Sequence, residues 1–279
     1  MQSYAAESRA LRWIQRLLLI AVATVSLSCE TVQTTQPGVV GVDREQRMLV
    51  SEEELRKGAE LAYREVLTKE QQRGALNADP ALTNRVRGIV QRLVPHTAAF
   101  RPDAPGWKWE ANVIRSDQVN AWVMPGGKMA VYSGLITRLG LSDDELAAVL
   151  GHEMAHALRE HARERASRQV AGQMAVGIGA AVLGVGQVGE GLANMAFQYG
   201  VLMPNSRTQE VEADRIGVEI AARAGFDPRA AVTLWQKMHK AGGAAGPEWL
   251  STHPSPENRL RDLEAYAARV MPLYQQAKR

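Results

Sequence analysis

A chain of 279 residues can bury a sizeable core, and its composition, 46% hydrophobic and 23% charged, suits a globular body rather than a disordered or fibrous one. The formal charge is +3 and falls to +1 once Arg9, Arg12, Arg16 and Glu7 are set aside, which leaves no electrostatic reason to expect a nucleic-acid partner. The single cysteine, Cys29, excludes a fold supported by internal disulfides.

The N-terminus reads as an export signal. Three arginines precede the apolar run 17-LLLIAVATVSLS-28. That run is shorter than the roughly 20 residues of a membrane-spanning helix. Residues 1–28 are therefore expected to be a signal peptide, with Cys29 lipidated as in a bacterial lipoprotein. Ser28 is the small residue such a signal wants before the cysteine, whereas Leu27 and Ser26 stand swapped relative to the usual pattern. An ordinary secretory signal followed by a stray cysteine is the alternative. Residues 29–42 are expected to form the lipidated N-terminus and a flexible tether, and 43–279 a single domain. The expected location is the periplasm, lipid-anchored to a bacterial membrane, with the outer membrane favoured.

A first helix is predicted over 51–67, where Ser51 and Glu54 have capping-box spacing. A second follows over 79–94 with Asp79 as N-cap and Pro80 at the first helical position, and Pro95 stops it before a loop over 95–106. The β-forming stretches 107–115, 119–124 and 128–135, with a Pro-Gly-Gly turn between the last two, predict a small antiparallel sheet. One long helix is predicted over 142–167, again with a capping box, Ser142 to Glu145. Residues 170–189 carry no charge but hold six glycines, so a Gly-rich helical flap near 170–200 is favoured over a membrane segment. Helices are predicted over 206–224, over 228–240 and from Pro256 to about Lys278. The fold class is α+β, mainly α-helical, with the small sheet beside the central helix.

The stretch 151-GHEMAHALREH-161 carries the chemistry. His152 and His156, four residues apart, lie about 40° apart on one helix face and can reach a single Zn2+ ion. Glu153 sits beside that face as the general base of the H-E-x-x-H arrangement. A solvated face with two unused histidines is the bland alternative. It is weakened by Leu146, Val149, Leu150 and Ala155, which make the helix apolar around the motif. A third ligand must come from elsewhere. On a continuous helix His161 would lie about 180° from His152, which makes it a surface residue or one that supports a ligand. The segment 206-SRTQEVEADRIG-217 offers Glu210 and Asp214 on one face, Glu210 as ligand and Asp214 as the partner of a ligand histidine. Glu212 is expected to point to solvent. The residues alone leave a surface acidic cluster as the other reading.

The HEMAH helix, SRTQEVEAD some fifty residues later and then 251-STHPSPENR-259 together resemble metallopeptidase family forty-eight, the gluzincins related to HtpX and the CAAX prenyl proteases, in its exported lipoprotein-type members. The similarity spans roughly 50–270 and includes NAWVMPGGKMAVYSGLI, which looks like the family's active-site hairpin. The resemblance implies one zinc per chain held by His152, His156 and Glu210, with Asp214 orienting a histidine. The family hairpin reads N-A-(F/Y)-A-x-P-G-G, so Trp122-Val123 changes the shape of the substrate-side pocket.

These readings predict a zinc endopeptidase. Zinc activates a water, Glu153 takes its proton and returns it to the leaving amine, and an extended substrate adds as a strand near Asn120, Ala121, Trp122 and Val123. His253 has three open roles: oxyanion stabiliser, occupant of the open coordination position, or loop residue that packs a helix start. Arg207 is expected to pair with Asp214 or assist the oxyanion, the pairing favoured. The resemblance implies unfolded or misfolded proteins as partners, with the outer-membrane assembly machinery as a candidate, and the leader implies a membrane through the N-terminal lipid. A chaperone or assembly factor with little turnover is the competing reading.

Overall fold

The computed structural model describes residues 30–175, 188–241, 248–255 and 258–279. The expected signal peptide, the lipidation site Cys29 and the middle of the Gly-rich stretch lie outside the described residues. In chain order come β1 (Glu30–Val32), β2 (Gln46–Met48), α1 (Glu52–Gln72), α2 (Pro80–Leu93), β3 (Glu110–Ile114), β4 (Ala121–Met124), β5 (Lys128–Tyr132), α3 (Ser133–Leu139), α4 (Asp143–Leu158), α5 (His161–Ala175), α6 (Val188–Phe197), α7 (Arg207–Arg223), α8 (Ala230–Ala241), α9 (Glu248–Thr252) and α10 (Arg259–Ala277). A π turn at Gln198–Leu202 follows α6. The class is α+β and mainly helical, as the sequence indicates.

Helix α4 is the centre. Its N-terminus is closed by the reciprocal Ser142–Glu145 capping box, and three acids sit in its first turn against the positive end of the helix dipole. From Glu145 to Leu158 every residue is buried, as expected for a helix apolar around its circumference. Helix α7, capped by Ser206 with Gln209, packs across it. The two backbones touch: a Cβ added at Gly151 would stand 2.8 Å from the Gly217 carbonyl oxygen, and one added at Gly217 would stand 2.6 Å from the His152 nitrogen. Only paired glycines permit that approach.

The predicted long helix over 142–167 is two helices. The chain turns at Arg159–Glu160, where Glu160 takes φ +50°. That conformation costs a non-glycine residue roughly 1–2 kcal/mol. It is offset by Arg101 and Arg163, whose guanidinium groups approach the Glu160 carboxylate at 2.5 and 2.8 Å. No glycine or proline marks the break, so nothing local announced it.

The sheet beside α4 is mixed, not antiparallel. Its order is β3-β5-β4, with β3 parallel and β4 antiparallel to β5. The link after β3 carries the chain past one strand position. Ser116 anchors it to the end of β5 through the Ser133 hydroxyl and the Gly134 amide, at 3.0 and 2.8 Å. The slot left between β3 and β4 is filled by the returning β5. One face packs Val113, Val123 and Val131 onto the main core. The other packs Ile114, Trp122 and Ala130 against α1 and α6. Strand β4 is one of the sheet's two outer strands in this order.

Residues 30–42 are not a loose tether. Val40 and Val42 enter the core, the Gln36 amide donates to the Phe100 carbonyl at 2.7 Å, and the Val40 amide donates to Glu219 at 3.0 Å. The strap continues through Arg44, which reaches Glu164 and Glu212. Among the described residues no helix is long and apolar enough to cross a membrane.

Two outcomes follow from these contacts. Gly217→Ala gains helix propensity but forces α4 and α7 apart; overpacking of this kind costs about 1–3 kcal/mol, and thermal denaturation should show a lower Tm. Burial alone would raise the Glu164 carboxyl, but hydrogen bonds from Arg44, Gln46 and Gln209 outweigh it and hold Glu164 well below the usual carboxylate range. A depressed carboxyl stabilises the fold fully above its unfolded value near 4.3 and loses that contribution as pH falls below it. The Tm gap between the wild-type chain and Arg44→Gln should therefore be widest above pH 5 and narrow toward pH 2.

Candidate metal centre

Four buried side chains converge where α4, α7 and the end of α9 meet: His152, His156, Glu210 and His253, each offering a ligand atom within 4.8 Å of the others. The i, i+4 spacing on α4 brings the two Nε2 atoms to 3.0 Å. Glu210 arrives from the first turn of α7, its oxygens 3.6 Å from His152 Nε2 and 3.3 Å from His156 Nε2. His152 Nδ1 lies 2.9 Å from Asp214 Oδ1 and donates to it, which leaves a lone pair on Nε2 facing Glu210.

The residues present fit a divalent ion. Glu210 is fully buried, and its Oε1 has no hydrogen-bond partner. A carboxylate oxygen without a donor is costly in the interior, and a cation is what satisfies it. Burial, together with the neighbouring imidazoles of His152 and His161, pushes the His156 pKa well below the usual imidazole range, so the ring is held in the neutral form that can ligate. Two imidazole nitrogens and one carboxylate oxygen make the three-ligand set of a catalytic site that keeps a position open.

Glu153 faces the other side. Its Oε1 accepts from the Trp249 indole at 3.1 Å and lies 3.3 Å from His253 Nε2. His253 directly follows α9, its Nδ1 3.1 Å from the Trp249 carbonyl. Both ring nitrogens of His253 therefore face acceptors. Burial opposes its charged form, but Glu210 and Glu153 outweigh burial and raise its pKa. Of the roles left open, the structure places His253 within the cluster rather than at a remote helix start.

Beneath the ligands lies a column the sequence did not disclose. Arg259 sits with its guanidinium 3.0 Å from Glu210 Oε2 and 2.7 Å from Asp214 Oδ2. It stacks at 3.3 Å on Trp235, which stacks in turn on Trp249 at 5.2 Å. Arg259, the last residue of the STHPSPENR motif, is the cation that holds Asp214. Arg207, expected in that role, is exposed at the rim of an outer pocket shared with Asp214 and Arg259.

Glu212 lies elsewhere than expected, and of the two places open to His161 the structure shows the one beside a ligand histidine. The break after α4 brings His161 Nδ1 to 2.7 Å from His156 Nδ1. Glu212, expected in solvent, is buried and lies 3.0 Å from His161 Nε2. Burial lowers the His161 pKa to about 4 despite Glu212. Burial would raise Glu212, but hydrogen bonds from His161 and Arg44 outweigh it and bring its pKa to about 2. Amphipathic spacing on α7 pointed Glu212 outward; the strap covering that face reverses its environment.

A groove runs from Glu153, His156 and His253 along β4, with Trp122, Val123 and Met124 in its wall. Of the four residues expected to hold substrate, Trp122 and Val123 line the groove, while Asn120 and Ala121 stand outside its lining. Gly200 of the π turn lies against Met124 and Pro125 at one end.

A helix bearing H-E-x-x-H crossed by one bearing a third, acidic ligand, beside a short sheet, is the architecture of a metallopeptidase. The model of peptidase family M48 matches residues 80–267, and the chain belongs to that family. It is 36% identical over 230 residues to the mitochondrial metalloendopeptidase OMA1 of Schizosaccharomyces pombe, covering 81% of this chain and 62% of the relative. It is 33% identical over 235 residues to the metalloendopeptidase OMA1 of Bos taurus, covering 79% and 44%. It is 30% identical over 208 residues to the beta-barrel assembly-enhancing protease of Escherichia coli, covering 71% and 42%. The chain thus spans less than two thirds of the length of these relatives.

Replacing Arg259 by Gln would leave the Glu210 and Asp214 carboxylates buried together without their cation. Removing one partner of such a buried set costs about 3–5 kcal/mol. The metal-free variant should melt well below wild type, and an added divalent ion should raise its Tm by more than it raises that of wild type.

Proposed function

We propose that the protein is a zinc-dependent endopeptidase that hydrolyses peptide bonds in unfolded or misfolded envelope proteins. The observation that carries this reading is the placement of Glu153 opposite the His152, His156 and Glu210 set at the head of a groove walled by β4. When bound, the ion would polarise the scissile carbonyl and acidify the attacking water. His152, His156 and Glu210 would hold it.

Glu153 is the proton carrier. Its carboxylate is fixed by the Trp249 indole, so one oxygen is oriented and the other can accept a proton from water and deliver it to the leaving amine. His253 Nε2, beside Glu153, is positioned to donate to negative charge developing on the carbonyl oxygen. An extended segment laid along β4 would be recognised mainly through its backbone, which suits unfolded clients of varied sequence. The apolar wall of Trp122, Val123 and Met124 favours hydrophobic side chains, which are exposed in such clients and hidden in folded ones.

The compartment we propose is the periplasm, with lipid at Cys29 as the anchor. Its support is the basic and apolar run over 1–28. Two relatives are named as mitochondrial and one by beta-barrel assembly, so these names alone do not select a compartment. The name of the Escherichia coli relative also favours a second reading, in which the groove chiefly holds clients for an outer-membrane assembly machinery and cleaves rarely.

Glu153→Gln separates the readings. The variant should retain one zinc per chain by metal analysis while cleavage of an unfolded casein by the zinc-loaded chain falls at least about 100-fold, the scale of general acid–base catalysis. Undiminished cleavage would remove Glu153 from its role. A wild-type chain that binds casein as tightly as the variant and leaves it intact would favour the assembly reading.

A further inference from the structure

The two imidazoles that face the metal position are supported differently. His152 donates from Nδ1 straight to a carboxylate, Asp214. His156 instead presents Nδ1 to a second imidazole, that of His161, at 2.7 Å. His161 is fully buried, and its Nε2 lies 3.0 Å from Glu212 Oε2. Glu212 is held by Arg44 Nε at 2.5 Å and Arg159 Nε at 3.2 Å.

The proton positions follow in series. A carboxylate between two guanidinium groups only accepts, so His161 Nε2 carries the proton and donates. A singly protonated imidazole then has its lone pair on Nδ1, which can only accept. His156 Nδ1 must therefore carry its own proton and donate to His161. The His156 lone pair is left on Nε2, the nitrogen 3.3 Å from the unpartnered Glu210 oxygen. One charge at Glu212 sets the tautomer of two rings.

We propose that His161 and Glu212 are positioning residues for the metal ligand His156, an imidazole–carboxylate relay that keeps His156 Nε2 unprotonated and aimed at the ion. The proposal rests on the metallopeptidase reading above. The relay exists because α4 breaks at Glu160; on an unbroken helix His161 would point away from His156. It is anchored by Arg44, so the N-terminal strap takes part in building the site.

The test uses the full chain with His161→Leu, His161→Gln and Glu212→Gln. Zn2+ affinity is measured by competition with a chelator. The Co2+-loaded proteins are compared by NMR for hyperfine-shifted, exchangeable imidazole N–H signals. The wild-type chain should show two such signals, one from His152 and one from His156. His161→Leu and Glu212→Gln should bind Zn2+ about 10- to 100-fold more weakly, the range typical of lost support behind a ligand. Both should lose or broaden one N–H signal and keep the other. His161→Gln, whose amide can accept from His156 and donate to Glu212, should recover part of the affinity. Should His161→Leu fail to fold, the other two variants give the same readouts. Tight wild-type binding with unchanged affinity and both N–H signals in the variants overturns the relay alone, whatever their Tm. A wild-type chain that binds no divalent ion overturns the metal reading and the relay with it.

Discussion

The backbone contact between Gly151 and Gly217 is the constraint on which the site depends. Helix α4 carries two imidazoles and Glu153; helix α7 carries the Glu210 and Asp214 carboxylates. Their side chains meet around a single ion position only because the helix axes approach more closely than any Cβ allows. Each glycine is adjacent to or within three residues of a functional side chain, His152 on one helix and Asp214 on the other. The helices thus meet where the chemistry is, and the ligand distances follow from main-chain geometry rather than from flexible side-chain reach.

That close crossing buries charge, and the rest of the structure answers it. Glu210 and Asp214 have lost water, and Arg259 returns one positive charge against them. One guanidinium facing two carboxylates leaves the cluster short of a cation, consistent with an oxygen of Glu210 that finds no donor. Trp235 and Trp249 exclude water from the same column, so the attraction of Arg259 for the carboxylates acts in a poorly screened interior. Trp249 also serves the reaction side, since its indole N–H orients Glu153.

The mixed sheet has a functional consequence. With β5 in the middle, β4 is an outer strand and runs beside the groove that starts at Glu153. Under the function we propose, an extended client would lie between that strand and the residues that would hold the metal. The π turn after α6 closes on Met124 and Pro125 and limits the groove at that end. The N-terminal strap meets the turn that follows α4, where Gln46 donates to the Arg159 carbonyl and Arg44 to Glu212.

What the sequence determined by itself is everything that rests on short-range pattern. Capping-box spacing located the starts of α4 and α1, Asp79-Pro80 that of α2, and i, i+4 spacing paired His152 with His156 and Glu210 with Asp214. Those relations hold within one helix, so a periodicity of 3.6 residues suffices to state them. The tertiary structure decided the rest. The helix break at Glu160 has no glycine or proline to mark it and draws on Arg101, 59 residues earlier in the chain, as well as the nearby Arg163. Arg259 shares a motif with His253, but its pairing with carboxylates more than forty residues earlier is a matter of packing. Glu212 sits on the face that amphipathic spacing assigns to solvent, and only the burial of the strap turns that face inward. Strand order likewise required the path of the link between β3 and β4, because alternation reports that strands exist and says nothing of which neighbour each one takes.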